Sequence, residues 1–193
     1  GEDIRSIVLG EYRTNVYAWN KIYRKSDFIK WEIFYPEGLC YEDNYVGFLM
    51  MFVCKKIYIT EKKYYCWFKN PGSITGQNKH ILDRIQVQKY LLEKTKRMGF
   101  YETFADIIDY NFFEKVFVEC FIAYGNKGLI SLEKIQDLKD TVLEFVPEIR
   151  KNPYYIGKRE IDHITIARQI GKLLEEEITQ TSVDKVLREC TND

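Results

Sequence analysis

Glu42 and Asp43 stand side by side at the end of a turn-forming loop, Pro36-Glu37-Gly38-Leu39-Cys40-Tyr41, and just before the apolar segment Val46–Cys54. Two acids at the mouth of a buried element are costly to desolvate, so something must hold them there. One reason is chemical: a carboxylate at the edge of a site takes a proton from a substrate hydroxyl. The other is structural: Asp43 or Asn44 caps the helix that follows. A neighbouring acid makes Asp43 harder to ionise, which suits a base working near neutral pH. A helix beginning at Asp43 opposes this by favouring the anion.

The elements around this pair fall into two regions, a mixed, loop-rich stretch over 1–80 and a helical block over 81–193. Residues 1–19 carry weak signals. Asn20–Trp31 has Ile22, Tyr23, Phe28 and Ile29 at helical spacing, which predicts a helix. Val46–Cys54 is apolar on every side and reads as a helix buried all round. Lys55–Thr60 alternates Ile57 and Ile59 with Lys56 and Tyr58, and Tyr64–Phe68 is aromatic, so the two predict a β-hairpin joined through Glu61-Lys62-Lys63. Asn70-Pro71-Gly72-Ser73 is a turn.

Beyond His80, four apolar stripes follow helical spacing: Ile81, Ile85, Leu91 and Leu92; Phe113, Val116, Phe117, Cys120, Phe121 and Tyr124; Ile135, Leu138, Val142 and Phe145; and Ile166, Ile170, Leu173, Leu174 and Ile178. Ser182 is placed to cap a last helix carrying Val186 and Leu187. Gly125–Gly128 and Asn152-Pro153 are the breaks. The stripe from Phe112 to Tyr124 reads as core.

Composition narrows the function classes. The chain has 193 residues, with 29 Lys and Arg against 29 Asp and Glu and a net charge of zero. This fits one domain, or one domain with a helical appendage. No global field draws nucleic acid or an acidic membrane surface, and 46% hydrophobic residues exclude a disordered chain. The apolar run Val46–Cys54 is well short of the roughly 20 residues a membrane helix needs. With no charged-then-apolar leader, the expectation is a soluble, intracellular chain. The start, Gly1-Glu2-Asp3-Ile4, reads as an interior cut from a larger protein.

The five cysteines, Cys40, Cys54, Cys66, Cys120 and Cys190, form no CxxC pair. This odd, scattered set argues against a disulfide framework and a zinc site. His80 and His163 each stand without a second ligand at metal spacing and read as structural or exposed.

Three blocks, in order, carry a family resemblance: Trp19-Asn20-Lys21-Ile22-Tyr23-Arg24; Phe34-Tyr35-Pro36-Glu37-Gly38-Leu39-Cys40-Tyr41-Glu42-Asp43; and Tyr64-Tyr65-Cys66-Trp67-Phe68-Lys69-Asn70-Pro71-Gly72-Ser73-Ile74-Thr75. Together they resemble the second half of a family 2 glycosyltransferase catalytic domain, covering about a third of the chain. The resemblance implies an α/β fold of the GT-A type, present here as a helix-rich C-terminal fragment with a small β-hairpin. Residues 1–80 would be the acceptor-side half and 81–193 a helical C-terminal region.

The resemblance also implies an activity: inverting transfer of a sugar from a nucleotide-linked donor, UDP-linked by default, to an acceptor hydroxyl, with Asp43 as general base. Glu42 would orient Asp43 or bind the acceptor. Trp19 and Trp67 would offer flat faces to a sugar or pack in the core. Asn20 and Lys21 would contact substrate, though Lys21 also reads as a solvated helix charge. Lys69, Ser73 and Thr75 would donate to the diphosphate, or the last two would cap a helix. A divalent Mn or Mg ion belongs to the parent enzyme, and none is expected on this fragment, because the family's Asp-x-Asp segment does not precede Asp43. The fragment alone is expected to transfer no sugar. The setting implied is cytoplasmic, at the inner face of the membrane, in surface polysaccharide or glycoprotein synthesis. Severed from its sheet, the piece would expose apolar surface around Phe48, Met51 and Phe52 and pair as a homodimer to cover it. The competing reading is a helical interaction or oligomerisation module in which the carboxylate loop is only a cap.

Overall fold

The structure, a computed structural model, describes residues 16–66, 68, 80–157 and 164–191. The chain forms two compact units, residues 1–100 and 101–193. No strand or sheet occurs among the described residues, which overturns the expected α/β, GT-A-like fold and its hairpin over Lys55–Phe68. Residues 55–66 run without regular structure, and Ile57, Tyr58 and Ile59 are all exposed. Period-two alternation makes a strand only when one face is buried, and a lone two-stranded ribbon is marginal in water. Neither face is covered here, so the alternation has nothing to pair against.

The first unit contains a 3-10 turn at Ala18–Asn20 and three helices: α1 (Lys25–Trp31), α2 (Glu42–Val53) and α3 (Asp83–Arg97). The helix expected over Asn20–Trp31 is shorter because Ile22 is fully exposed (101%), so no apolar stripe holds residues 21–24 in register. α1 ends on Glu32 in the left-handed region (φ 50°), with the Ile33 N–H donating to Phe28 O at 3.1 Å. The buried Lys94 of α3 then donates its ammonium to Glu32 O at 3.1 Å. A cation thus meets the negative end of a short helix.

α2 is the core of this unit. Tyr45 through Met51 are all buried, as the apolar run predicts. It packs on α3, which buries Val87, Gln88, Leu91, Leu92 and Thr95. Gly47 is required by a close approach: a Cβ there would meet Val16 O and Cβ at 3.0 Å. α3 ends in a reversal at Gly99 (φ +74°), with the Phe100 N–H returning to Thr95 O at 3.0 Å, a conformation glycine adopts without steric cost. Phe100 meets Phe52 at 5.5 Å and Trp31 at 5.8 Å, and Phe52 meets Phe48 at 5.2 Å. The surface expected to lie bare around Phe48, Met51 and Phe52 is therefore covered within the unit: Phe48 and Met51 are buried and Phe52 partly so.

The second unit is a helical bundle. α4 (Tyr101–Phe113), kinked at Phe104 (φ -125°), is followed directly by a π-helical turn (Glu114–Val118) and α5 (Glu119–Asn126). Their stripe from Phe113 to Tyr124 is buried, as its spacing predicts. α6 (Leu132–Phe145) and α7 (Ile164–Glu175) pack against the π-helical turn, and α8 (Gln180–Thr191) pairs with α7. Lys139 donates to Leu173 O (3.0 Å) and Glu176 O (2.5 Å), and Arg150 donates to Leu174 O. Cations of neighbouring elements thus satisfy the orphan carbonyls at the end of α7. Thr179 caps α8: its Oγ1 accepts the Ser182 N–H at 3.1 Å, and Ser182 Oγ accepts the Thr179 N–H at 3.0 Å. Ser182, expected as the cap, is the returning partner in a reciprocal pair. Among the described residues, no helix is long and apolar enough to cross a membrane.

Candidate functional site

The loop before α2 is bent sharply by its own backbone. Gly38 (φ 76°) and then Tyr41 (φ 67°) both take the left-handed region. For a tyrosine this is strained by about 1–3 kcal/mol, and such strain persists only where surrounding contacts hold it. Two contacts do so: the Arg84 guanidinium lies 3.6 Å over the Tyr41 ring, and the Cys40 N–H donates to Asp83 Oδ2 at 2.9 Å. The strained residue immediately precedes Glu42 and Asp43, which form the first turn of α2.

Asp43 is half-buried and makes no side-chain cap; Tyr41 occupies the N-cap position, and the Asn44 amide donates to Asp43 Oδ1 at 3.2 Å. Burial, and then the charge of Glu42, push the Asp43 carboxyl above its ordinary value, against the pull of the Asn44 and Asp43 donors. The contest between neighbouring acid and helix start is therefore decided by desolvation.

Lys21 shares this patch. Its ammonium donates to Asn20 Oδ1 at 2.6 Å and to Tyr17 O at 3.3 Å. Burial lowers its pKa to about 8, while the charge of Asp43 raises it in part. Lys21 is half-buried, at the C-cap of the 3-10 turn. Tyr23 and Tyr35 complete the surround: burial, and charges that include Asp43, raise both phenols. Tyr35 also walls an open cleft of about 290 Å³, lined with Glu32, Phe34, Tyr45, Tyr90 and Arg97.

Trp19 stacks on Tyr17 (5.1 Å, 13°) and on Tyr65 (5.1 Å, 22°). All three rings of this stack, Tyr17, Trp19 and Tyr65, are exposed. Trp67, Lys69, Ser73 and Thr75, with His163, lie outside the described residues. Tyr17 and Arg97 escaped sequence reasoning, and Tyr23, Tyr35 and Tyr65 entered it only as members of an apolar stripe or of the three blocks. Aromatic residues are frequent throughout this chain, so no spacing signal set these apart.

His80 is not alone. Its Nδ1 lies 2.9 Å from Asp83 Oδ2, and Cys40 completes a group whose ligating atoms all fall within 4.8 Å of one another. Burial raises the Asp83 carboxyl, but donors from Cys40 and His80 outweigh it and hold the group below its ordinary value. Sequence spacing hid this cluster, because Cys40 is 43 residues from Asp83 in the chain.

Among the described residues, the Mn or Mg ion implied by the resemblance finds no matching donor set. No two aspartates stand two apart anywhere in the sequence. Among the described residues, the one cluster of such ligating groups carries a thiol and an imidazole, which hard cations take poorly.

Comparison with protein-family models, curated proteins and solved structures finds no match to this chain.

Proposed function

We propose that Asp43 is the general base for an acceptor hydroxyl in glycosyl transfer, and that residues 17–66 form the acceptor side of that reaction. The observation that carries this reading is convergence. Trp19 and Lys21 of the first sequence block, Tyr35 and Asp43 of the second and Tyr65 of the third gather in one unit, through the Trp19–Tyr65 stack and the charge coupling of Lys21 and Tyr35 to Asp43. A carboxylate with a raised pKa accepts a proton more readily near neutral pH than an ordinary one. An aromatic platform and a tyrosine-rich cleft suit a sugar, whose C–H faces pack on rings while its hydroxyls take hydrogen bonds.

In this mechanism the acceptor hydroxyl donates to Asp43. As its oxygen attacks the anomeric carbon, the proton passes to the carboxylate and the bond to the diphosphate breaks on the opposite face. Lys21 holds positive charge beside Asp43 and favours its ionised form before the transfer.

The test is sugar transfer by the protein containing these residues. Asp43→Asn lowers the rate by roughly 10²- to 10⁴-fold while helical content is unchanged. Transfer at near the wild-type rate by a folded Asp43→Asn variant ends the proposal.

A further inference from the structure

We propose that Cys40, His80 and Asp83 bind a zinc-type divalent ion, with solvent in the fourth position, and that this ion pins the loop entering α2 to the start of α3. The site stands apart from the glycosyl-transfer reading and survives or fails without it. Its three ligands come from two segments, the bend at Gly38–Tyr41 and the turn at His80–Asp83, which the packing of α2 on α3 brings together. All three are half-buried; the His80 and Asp83 side chains are 22% and 20% exposed. An ion there would be shielded on the protein side and open to water on the other.

The donor set indicates the metal. Thiolate, imidazole and carboxylate together match the borderline-soft preference of zinc and not the all-oxygen shells of magnesium or calcium. Metal–ligand bonds of roughly 2.0–2.3 Å in a tetrahedron place ligating atoms about 3.3–3.7 Å apart. The present group brackets that separation. The His80–Asp83 pair stands at 2.9 Å, a hydrogen-bond length, and the whole set fits within 4.8 Å. Binding therefore opens the pair by less than an ångström, with Cys40 already inside the same 4.8 Å set. The thiol proton leaves to solvent, and the imidazole keeps its proton on the nitrogen not bound to the ion.

The same contacts explain why the loop needs a pin. Tyr41, next to Cys40, is held in a strained conformation, and the existing tie from this loop to α3 already runs through Asp83. Coordination replaces a hydrogen-bonded tether with a stronger one, three residues ahead of Asp43.

Cobalt(II) titration of the purified chain under reducing conditions tests this. The expected result is one equivalent bound, a thiolate-to-cobalt charge-transfer band in the near ultraviolet, and loss of that band on adding zinc. Cys40→Ser removes the band. His80→Ala or Asp83→Ala weakens cobalt affinity by tenfold or more. Cys54→Ser, Cys66→Ser and Cys190→Ser leave the band unchanged. A second measurement uses the unaltered chain: stoichiometric zinc slows alkylation of Cys40, read by peptide mass, and leaves the other accessible thiols as reactive as before. A band that survives Cys40→Ser, no saturable binding at one equivalent, or Cys40 alkylated at the same rate with and without zinc would each overturn the site.

Discussion

The indole of Trp19 lies 5.1 Å from the ring of Tyr65 with 22° between their planes, joining residues 46 positions apart in the chain. Residues 55–66 have no regular structure, so this stack gives an otherwise irregular segment a fixed point on the first unit. The platform is exposed, and an aromatic pair contributes about 0.5–1.5 kcal/mol beyond its buried area. Tyr65→Ala should therefore lower unfolding stability by no more than roughly 1 kcal/mol. It should also weaken oligosaccharide binding, measured by chemical-shift titration. Unchanged glycan shifts in Tyr65→Ala would remove the platform from the proposed acceptor site.

Asp43 makes stability depend on pH in a defined direction. Its folded pKa is raised above the ordinary 3.8, so the folded state favours the protonated form. That contribution is fully present below about pH 4 and is lost as pH rises through the folded value. Asp43→Asn should unfold at a higher urea concentration than wild type at pH 7, with the gap closing at pH 3. An equal gap at both pH values would show that ionisation of Asp43 is not its cause.

Lys21 carries the complementary shift. Burial brings its amine to about 8 from 10.5, so holding the ammonium folded costs stability below that value, and the cost is relieved as pH rises from about 8 to 10.5. After reductive ¹³C-methylation, one lysine resonance should titrate near 8 and vanish in Lys21→Arg. In Asp43→Asn it should titrate lower still, since the Asp43 charge is what raises it. A midpoint unmoved by Asp43→Asn would separate the two groups.

Gly47 tests the packing beneath the site. A methyl group there would meet the Val16 carbonyl oxygen at 3.0 Å, and backbone yields less readily than a side chain. Gly47→Ala should destabilise by about 1–3 kcal/mol, although alanine is the better helix former. Denaturant unfolding showing equal or greater stability would mean that the Val16 strand of chain moves aside freely.

Asn152 holds a bend that the sequence marked as a break. Its buried amide donates to Asp106 O at 2.6 Å and accepts the Tyr154 N–H at 3.0 Å. Asn152→Ala leaves both backbone groups unpartnered by that side chain and should cost about 1–3 kcal/mol, read as a lower urea midpoint. A midpoint within error of wild type would assign the bend to the backbone alone.

Where burial alone shapes an element, local pattern suffices to read it. The all-apolar run at Val46 became the buried centre of α2, and the stripe from Phe113 to Tyr124 became core. Hydrophobic residues at helical spacing need only one face covered, and any packed neighbour can cover it. The turn at Gly38 and the end of α5 before Gly128 were equally readable, because each rests on a glycine in the left-handed region. Glu42 and Asp43 were visible as carboxylates that would resist desolvation.

Tertiary structure decided the rest, because each remaining feature depends on a partner far away in the chain. Ile57 and Ile59 alternate like a strand, but no described residue pairs with them in one. Lys21 looks solvated in sequence, yet the fold half-buries it within reach of the Asp43 charge. Cys40 and His80 look isolated until α2 packs on α3 and Asp83 draws both to one carboxylate. Periodicity reports which side of an element avoids water, whereas charge coupling and ligand geometry arise only when separate elements are brought within a few ångströms of each other.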